Sequence, residues 1–301
     1  MFKKFFFTLI LKRELTENED ILRSLLELIP EIYNHHSPSS KIYRFIEKIS
    51  KFSSNTLFGP NQKEAVDLGS IGKISLPYYS MGAINSTHLF GLDELILFAF
   101  YTKNKNRYKK VADLGANIGL HSIVLSNLGF DVTSYEPDLI HAEKFKENIN
   151  SNCLKNKPSL VNKAISTKKG QVEFIRIKNN TTGSHISGSK DSLYGELDKF
   201  TVETDSFKEL ISNFDFLKID IEGHEAEVLL STSREDWLST DAMIEVGSLK
   251  NGEKIFNFFN KIGVNLFSQK KGWSIVENLN DMPTSYKEGS LFITCKENVP
   301  W

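Results

Sequence analysis

The sequence predicts an α/β protein with a doubly wound, mostly parallel sheet. From about residue 105 onward, short apolar segments alternate with longer amphipathic segments, which is the pattern of strands connected by helices. Two of the apolar segments end in glycine or acidic residues, at the strand ends where such sheets bind ligands. The composition is 40% hydrophobic and 25% charged, as in ordinary globular proteins.

Length and charge narrow the classes of protein further. A chain of 301 residues can form one large domain or two modest ones. Lys and Arg number 37 against 38 Asp and Glu, a near-zero net charge that argues against a nucleic-acid-binding protein. The two cysteines, Cys153 and Cys295, lack the spacing of a disulfide framework or a metal site, so a cytoplasmic location is expected. The apolar run at 5–11 is too short for a stable membrane span.

Residues 1–80 are expected to form a mainly helical extension, and residues 81–301 the ligand-binding domain. Apolar residues recur at helical spacing in two segments, the first of which ends at Pro30 and the second of which follows the Ser-Pro-Ser-Ser segment at 37–40. The extension carries no chemical motif, and it is interpreted as a cap, an oligomer contact or part of a substrate wall. The apolar positions are Leu22, Leu25, Leu26 and Ile29 in the first helix and Ile42, Phe45, Ile46 and Ile49 in the second.

The elements of the second region follow from its apolar runs, in chain order. Runs of four to six residues rich in Val, Ile, Leu and Phe predict strands, and longer amphipathic stretches predict helices. Residues 71–79 are expected to be extended before the sheet begins. Strands are expected at 111–114, 131–135, 160–165, 172–177, 214–219, 242–246 and 291–294. Helices are expected at 120–128 and 255–262, and another helix is expected to follow the strand at 131–135 and to extend through residue 149.

The first strand runs into the segment Val-Ala-Asp-Leu-Gly-Ala-Asn-Ile-Gly-Leu-His at 111–121. Gly115 allows a tight turn and leaves space for a ligand, and Gly119 opens the next helix. Free backbone N–H groups at the start of that helix are expected to be able to hold an anionic group. Glycine turns of this kind also occur for packing reasons, so this segment alone does not define the ligand.

The second strand ends at Glu136, 21 residues after Gly115. A carboxylate at this point accepts hydrogen bonds from ribose hydroxyls, which predicts an adenosine ligand. The turn has Asn117 where a dinucleotide-binding turn would have a glycine, and Asp113 would repel a pyrophosphate while binding an ammonium group. S-adenosylmethionine is therefore favoured over a nicotinamide dinucleotide.

Three blocks, at 111–122, 134–138 and 216–229, together resemble the FkbM family of class I S-adenosylmethionine-dependent methyltransferases. The resemblance implies a seven-stranded Rossmann-like fold and O-methylation of a hydroxyl on a sugar, polyketide or related metabolite. It also implies that Glu136 holds the ribose and that Ala164 lies near the adenine. The cofactor-binding residues implied are Asp113, Gly115, Ala116, Asn117, Gly119, Glu136, Pro137, Ala164 and Asp220.

The third block, Phe-Leu-Lys-Ile-Asp-Ile-Glu-Gly-His-Glu at 216–225, also has its own chemical interpretation. Strand alternation places Lys218 and Asp220 on one face, with Asp220 at the end of a central strand. Lys218 would be buried, with Glu245 of the next strand as its natural partner in a structural ion pair. Alternatively, Glu245 points into the pocket and orients the substrate.

Methyl transfer to an alcohol needs a general base, and Asp220 and His224 are the first candidates. His121 and His88 are weaker ones. Glu222 and Glu225 are interpreted either as site residues or as acids that stabilise a helix N-terminus. The cluster of Asp220, Glu222 and His224 has no recognised metal-ligand pattern, so no metal is predicted. The polar segment 179–195 is interpreted as a surface loop or as a lid that supplies Ser184, His185 or Tyr194.

The sequence therefore predicts a cytoplasmic S-adenosylmethionine-dependent methyltransferase that acts on a hydroxyl of a saccharide or small-molecule metabolite. The catalytic residues expected are Asp220, His224 and Glu245. Two alternatives remain open, a nicotinamide-dependent oxidoreductase on the same fold and a non-catalytic protein that binds an adenosyl ligand. A homo-oligomer is compatible with the sequence, and no nucleic-acid partner is expected.

Overall fold

The computed structural model describes residues 2–61, 64–82, 84–178, 181–189 and 196–301. The helices are α1 (Phe2–Leu28), α2 (Lys41–Leu57), α3 (Leu92–Lys103), α4 (Leu120–Asn127), α5 (Leu139–Ser151), α6 (Phe207–Leu210), α7 (Glu225–Leu229) and α8 (Leu249–Ile262). The strands are β1 (Val66–Asp67), β2 (Lys73–Ile74), β3 (Lys110–Leu114), β4 (Asp131–Tyr135), β5 (Ser159–Val161), β6 (Ala164–Ser166), β7 (Gly170–Ile177), β8 (His185–Ile186), β9 (Leu197–Ser206), β10 (Phe216–Ile219), β11 (Asp241–Glu245), β12 (Asn265–Ser268), β13 (Ser274–Ile275) and β14 (Ser290–Thr294).

The main sheet has the strand order β5-β4-β3-β10-β11-β14-β12, with the two-residue β13 at its edge. Strands β5 to β11 in this order are parallel, and β14 is antiparallel to both of its neighbours. The order reverses between β3 and β10, which is where doubly wound sheets bind ligands. The sheet confirms the predicted α/β class. It includes β12, which was not predicted, whereas the strand predicted at 172–177 lies in a second sheet.

Side chains of the central strands alternate between two hydrophobic cores, one on each face of the sheet. Phe216 packs in the core formed with α1 to α5, whereas Leu217 packs in the core formed with α6 to α8. Lys218 therefore points toward the face that carries the N-terminal helices. Because those helices share a core with this face, the extension is built against the ligand-binding part of the chain. The boundary near residue 80 stays a prediction.

The segment predicted as one strand at 160–165 is two strands in two different sheets. β5 belongs to the main sheet, and β6 belongs to a second sheet with the order β6-β9-β7-β8. Asn162 and Lys163 separate them, and the Asn162 side chain donates to the Glu136 carbonyl at 2.7 Å, which turns the chain toward the site. Strands β9 and β12 and helix α3 were not predicted, because their apolar residues follow no regular period.

The buried face of α2 is rotated from the predicted one. Ile46 is buried as expected, but Phe45 is 66% exposed and Ile42 is 39% exposed. The helix instead turns small polar residues inward, and Ser54 donates its hydroxyl to the Phe90 carbonyl at 2.8 Å. The buried face of this helix therefore combines apolar side chains with small serines, of which Ser54 forms a hydrogen bond to another part of the chain.

The apolar residues 5–11 lie within α1, and their side chains fall outside the described part of the protein. Among the residues that the structure describes, no helix has both the length and the apolar character needed to cross a membrane.

Candidate active site

A cavity of about 440 Å³ lies at the carboxyl ends of β3, β4 and β10. This is the position predicted for a ligand of a doubly wound sheet. Seven of the predicted site residues line it: Gly115, Asn117, Glu136, Pro137, Ala164, Asp220 and Glu245. The topology thus brings together residues that are up to 130 positions apart, from Gly115 to Glu245.

Gly115 is required by the close approach of two strand ends. Its backbone has φ +81°, and a Cβ atom at this position would lie 1.8 Å from the backbone oxygen of Asp220. The glycine therefore makes room for the neighbouring strand end. The sequence predicted that the absence of a side chain at Gly115 leaves space for a ligand. The close approach of the strand ends is the stronger reason for a glycine here.

The backbone N–H groups of the glycine turn are already hydrogen bonded within the protein. Those of Gly115 and Ala116 donate to the Tyr135 carbonyl at 3.0 and 2.9 Å, and that of Asn117 donates to Glu136 at 2.8 Å. The Gly119 N–H donates to the Ala116 carbonyl at 2.9 Å. These four groups are therefore not free to hold an anion, and they form no pyrophosphate cradle. The anion-binding role of the N–H groups at the start of α4 stays a prediction.

Three residues assigned to cofactor contact lie behind the cavity. Asp113 is fully buried, accepts a hydrogen bond from Ser122 at 2.6 Å and lies 3.8 Å from the Lys218 ammonium. Gly119 packs against the Phe145 ring, which a Cβ atom would approach to 2.7 Å. Ala116 is 5% exposed and is absent from the cavity lining. Burial separates all three residues from the cavity. They are therefore not placed to contact a ligand directly, and they support the residues that line the cavity.

Glu136 is a carboxylate of the first cavity that two backbone hydrogen bonds hold in place. Its two carboxylate oxygens accept the N–H groups of Asn117 and Asp138, each at 2.8 Å, which fixes the side chain. Burial raises its pKa to about 8 despite these hydrogen bonds. Since a carboxylate oxygen can accept two hydrogen bonds, each oxygen can still receive one ligand hydroxyl. The two hydroxyls of a ribose satisfy this requirement.

A second cavity of about 500 Å³ adjoins the first on the face that carries the N-terminal helices. It lies between α2, the start of α3 and the ends of β10 and β11. Its lining mixes apolar side chains with serine, asparagine and acidic residues. Five residues line both cavities and mark their junction: His88, Glu94, Asp220, Glu245 and Tyr286.

The junction concentrates carboxylates around one buried cation. The Lys218 ammonium lies 3.4 Å from Asp220 and 3.8 Å from Asp113. Burial alone lowers the pKa of Lys218, but these carboxylates raise it above its usual range, so it stays charged. The ion pair predicted between Lys218 and Glu245 is not formed; Lys218 pairs with the two aspartates instead. Glu245 lines both cavities, in keeping with the alternative interpretation.

Burial raises the pKa of Glu245 well above its ordinary value, and the charges of Asp220, Glu222 and Glu94 raise it further. The carboxyl group of Glu245 forms no hydrogen bond with any residue that the structure describes. A carboxyl group in this situation gains most from a hydrogen-bonding or cationic ligand. It is consequently the group of the junction best prepared to interact with a bound molecule.

Glu94 is a functional candidate that the sequence did not reveal. It lies in the first turn of α3, and its carboxylate accepts a hydrogen bond from His121 Nε2 at 2.8 Å. The other ring nitrogen of His121 pairs with the Tyr101 hydroxyl at 3.0 Å. Although burial raises it, the pKa of Glu94 is lowered overall by His121 and Lys218. The only sequence signal is an acidic pair in a helix first turn, which is too common to be diagnostic.

His224 does not line either cavity, contrary to its predicted role as a base. Its ring nitrogens pair with the hydroxyl groups of Ser166 at 3.3 Å and Ser189 at 3.1 Å. Burial lowers its pKa. His121 is likewise engaged behind the site, whereas His88, the other weaker candidate, lies exposed on the rim shared by both cavities.

The acidic residues that follow β10 divide into two roles. Glu225 accepts the N–H groups of Ile221 and Gly223 at 3.0 and 3.1 Å, so it stabilises the turn before α7. This supports its interpretation as an acid at a helix start. Glu222 has a left-handed backbone, φ +57°, and lines the first cavity.

The second sheet forms a wall of the first cavity. Phe174 of β7 and Ile186 of β8 line it, together with Ser184 from the predicted lid segment. His185 is buried and does not line the cavity. Tyr194 lies outside the described residues, so its predicted contact is not placed. Whether the segment closes over a ligand stays a prediction.

The model of the methyltransferase FkbM domain matches residues 113–269, more than half of the chain. The chain belongs to the FkbM methyltransferase family. The match confirms the resemblance seen in the three sequence blocks, and it spans the glycine turn, Glu136 and the strands that carry Asp220 and Glu245. No curated protein sequence matches this FkbM methyltransferase.

Solved structures of methyltransferases resemble it distantly. The precorrin-6y C5,15-methyltransferase of Geobacter metallireducens is 14% identical, covers 64% of this chain and 86% of its own, and has a TM-score of 0.35. An S-adenosylmethionine-dependent methyltransferase of Agrobacterium tumefaciens is 11% identical over 68% of this chain and 62% of its own, with a TM-score of 0.35. Because these TM-scores are low, the fold is assigned from the strand order of the main sheet.

This FkbM methyltransferase uses S-adenosylmethionine as its methyl donor. The first cavity fits that cofactor because Glu136 can take both ribose hydroxyls and Ala164 leaves space beside them. The buried side-chain oxygen of Asn117, which also lines the cavity, has no hydrogen-bond partner among the described residues. The cofactor supplies a methyl group already activated on a sulfonium, and the carboxylates of the junction suit its positive charge.

Proposed function

We propose that the protein methylates a hydroxyl group of a saccharide or small-molecule metabolite. The observation that carries this proposal is the junction of the two cavities at Asp220 and Glu245. With the cofactor in the first cavity, an acceptor in the second would meet the methyl group at these carboxylates. This arrangement supports transfer to an alcohol, which requires an acceptor held beside the methyl group and a proton acceptor next to it.

Glu245 is the proposed general base. An alcohol proton is removed most effectively by a group whose pKa lies near the working pH, and burial shifts the pKa of Glu245 in that direction. Asp220, bonded to the Lys218 ammonium at 3.4 Å, is held in place to orient the same hydroxyl. His88 on the rim is the second candidate for a base, because it lines both cavities.

The second cavity is the proposed acceptor site, with α2 as one wall. Its volume suits a molecule of the size of one or two sugar rings. Apolar residues such as Met243 and Leu97 alternate there with polar ones such as Ser50 and Asn55, which matches the apolar faces and hydroxyl edges of a saccharide. The position of α2 beside this cavity supports the interpretation of the N-terminal extension as a substrate wall. An oligomeric contact and a cytoplasmic location remain predictions.

The first experiment tests the chemistry. Purified protein is incubated with S-adenosylmethionine carrying a labelled methyl group and a panel of monosaccharides and glycosides. The proposal predicts label in a base-stable methyl ether, with kcat reduced at least 100-fold in Glu245→Gln and in Asp220→Asn. Label in a base-labile ester or in a methylamine would contradict O-methylation of a hydroxyl. Cofactor binding with no transfer to any acceptor class would favour the non-catalytic alternative.

The second experiment tests the acceptor cavity. Asn55 lines it from the exposed side of α2, so Asn55→Trp should obstruct its mouth. We expect this variant to raise the KM for the acceptor at least tenfold while leaving affinity for S-adenosylhomocysteine unchanged. Lys48→Trp, an exposed position on the same helix outside the lining, is the matched control. Equal acceptor KM values in both variants would show that the acceptor binds elsewhere.

A further inference from the structure

His141, on the first turn of α5, is a buried histidine that faces the cofactor cavity without a hydrogen-bond partner. Its residue is 3% exposed, and it lines the first cavity. Its Nε2 atom is buried and unpaired, and its Nδ1 atom lies 3.9 Å from Glu136 Oε1, beyond hydrogen-bond distance. No described residue forms a hydrogen bond with either ring nitrogen.

The surroundings of His141 favour the neutral form of its imidazole. Burial lowers its pKa, the Asp138 carboxylate opposes that shift, and the Arg176 guanidinium adds to it. A neutral ring has one N–H donor and one acceptor nitrogen. The buried Nε2 atom is closed off from a ligand, so Nδ1 is the ring nitrogen left to form a hydrogen bond with a group bound in the cavity.

The position of Glu136 indicates which ligand group this is. Glu136 Oε1 already accepts the Asp138 N–H at 2.8 Å and has one acceptor position left. A hydroxyl placed between Oε1 and His141 Nδ1 can donate its proton to the carboxylate and accept the imidazole N–H. Two ordinary hydrogen bonds from one oxygen span a 3.9 Å separation of their partners.

We propose that His141 binds the cofactor, donating from Nδ1 to the ribose hydroxyl that Glu136 accepts. This contact makes His141 a specificity-determining residue for the ribose, because it recognises the hydroxyl oxygen while Glu136 recognises the hydroxyl proton. The proposal concerns the cofactor alone, so it is independent of the acceptor and of the general base.

Calorimetric titration with S-adenosylhomocysteine and its 2′-deoxy and 3′-deoxy analogues tests the proposal. His141→Phe keeps the ring volume and removes both nitrogens, and we expect about tenfold weaker binding of S-adenosylhomocysteine. For the analogue that lacks the recognised hydroxyl, the wild type and His141→Phe should bind equally. His141→Asn, whose amide nitrogen replaces Nδ1, should recover most of the affinity. His35→Phe, at a partly exposed histidine outside both cavities, is the control.

Two outcomes would overturn the proposal. If His141→Phe binds S-adenosylhomocysteine as tightly as the wild type, His141 is satisfied by solvent and has no ligand role. If the loss is the same for all three ligands, the side chain only shapes the cavity. If the variants do not fold, nitrogen NMR spectroscopy of the wild-type protein provides the test. The Nδ1 resonance of His141 should shift with S-adenosylhomocysteine and not with the matching deoxy analogue, and equal spectra would contradict the contact.

Discussion

Lys218 shows how strongly the site depends on single side chains. It lies in a central strand, paired across the sheet with Asp113 of β3, and it is the only cation close to that aspartate among the described residues. Its ammonium also touches Asp220 at the cavity junction. The same charge therefore neutralises a buried structural carboxylate and positions a candidate active-site carboxylate.

Lys218→Met should leave Asp113 and Asp220 as uncompensated negative charges. Breaking a buried ion pair by removing one partner costs about 3–5 kcal/mol of unfolding free energy, and we expect a loss in that range. Chemical denaturation measures it. Lys199→Met removes an exposed lysine that pairs with Glu173 at 3.0 Å, and it should cost less than about 1 kcal/mol. Similar losses in the two variants would contradict the assigned role of Lys218.

Gly115→Ala should be among the most destabilising single-methyl changes in the site. The added carbon would collide with the Asp220 carbonyl, whereas a Cβ atom at Gly129 would meet nothing within 4 Å at a similar backbone angle, φ +95°. Gly129→Ala therefore reports the backbone strain alone, about 1–2 kcal/mol. We expect Gly115→Ala to lose at least about 2 kcal/mol more in denaturation experiments. Equal losses would contradict the close approach of the strand ends.

At the scale of elements, the ion pair between Arg176 and Asp138 links the small second sheet to the cofactor site. Arg176 of β7 donates two hydrogen bonds of 2.6 Å to Asp138, which caps α5 and donates its N–H to Glu136. The Arg176 guanidinium also lies 4.7 Å above the Phe200 ring of β9. The wall of the first cavity is therefore connected to Glu136 through Arg176 and Asp138.

Arg176→Lys should loosen this connection, because lysine cannot make the paired hydrogen bonds of a guanidinium. We expect about tenfold weaker binding of S-adenosylhomocysteine in calorimetry, with a loss of about 1–3 kcal/mol in stability. Lys178→Met, which removes an exposed ion pair next to the end of the same strand, should change neither by a measurable amount. Unchanged affinity in Arg176→Lys would separate the second sheet from cofactor binding.

Elements with strong periodicity could be predicted from the sequence, and those stabilised by tertiary contacts could not. β3, β10, β11 and β14 are short, mainly apolar runs, and these strands and β4 were predicted to within one or two residues of their observed bounds. β9 alternates polar residues with few apolar ones, and the break at Asn162 depends on a hydrogen bond to a distant carbonyl. Neither β9 nor the break at Asn162 can therefore be recognised from the local sequence.

The candidate site shows the same division. Glu136 and Asp220 could be located because they end strands, and strand ends of a parallel sheet converge. His224 was misplaced, since its sequence position next to Gly223 does not reveal that the chain turns its ring toward Ser166 and Ser189. Glu94 and His141 reach the cavities only because α3 and α5 pack on the sheet. The positions of these two residues beside the cavities can therefore be recognised only from the three-dimensional structure.

For the whole molecule, burial of acidic groups at the site makes stability depend on pH. Burial raises the pKa of Glu136 to about 8 and that of Glu225 to about 7. Above pH 7 these groups are already ionised in the unfolded chain and still partly protonated in the folded protein. The folded state thus binds more protons, so raising the pH from 7 to 8.5 destabilises it.

We expect the ligand-free protein to lose about 1 kcal/mol of unfolding free energy over this pH range through Glu136 alone. Histidines contribute little there, because unfolded histidines are mostly neutral above pH 7. Urea denaturation at several pH values measures the slope, and Glu136→Gln should reduce it. A stability that is constant or rises between pH 7 and 8.5 would contradict the burial of these carboxyl groups.

The central claim is that the first cavity binds S-adenosylmethionine through Glu136. Calorimetric titration of wild type, Glu136→Gln and the exposed control Glu173→Gln with S-adenosylmethionine, S-adenosylhomocysteine and NAD tests it most directly. We predict that wild type and Glu173→Gln bind both adenosyl ligands and not NAD, and that Glu136→Gln binds them about 100-fold more weakly. Undiminished binding by Glu136→Gln, or binding of NAD alone, would contradict the account.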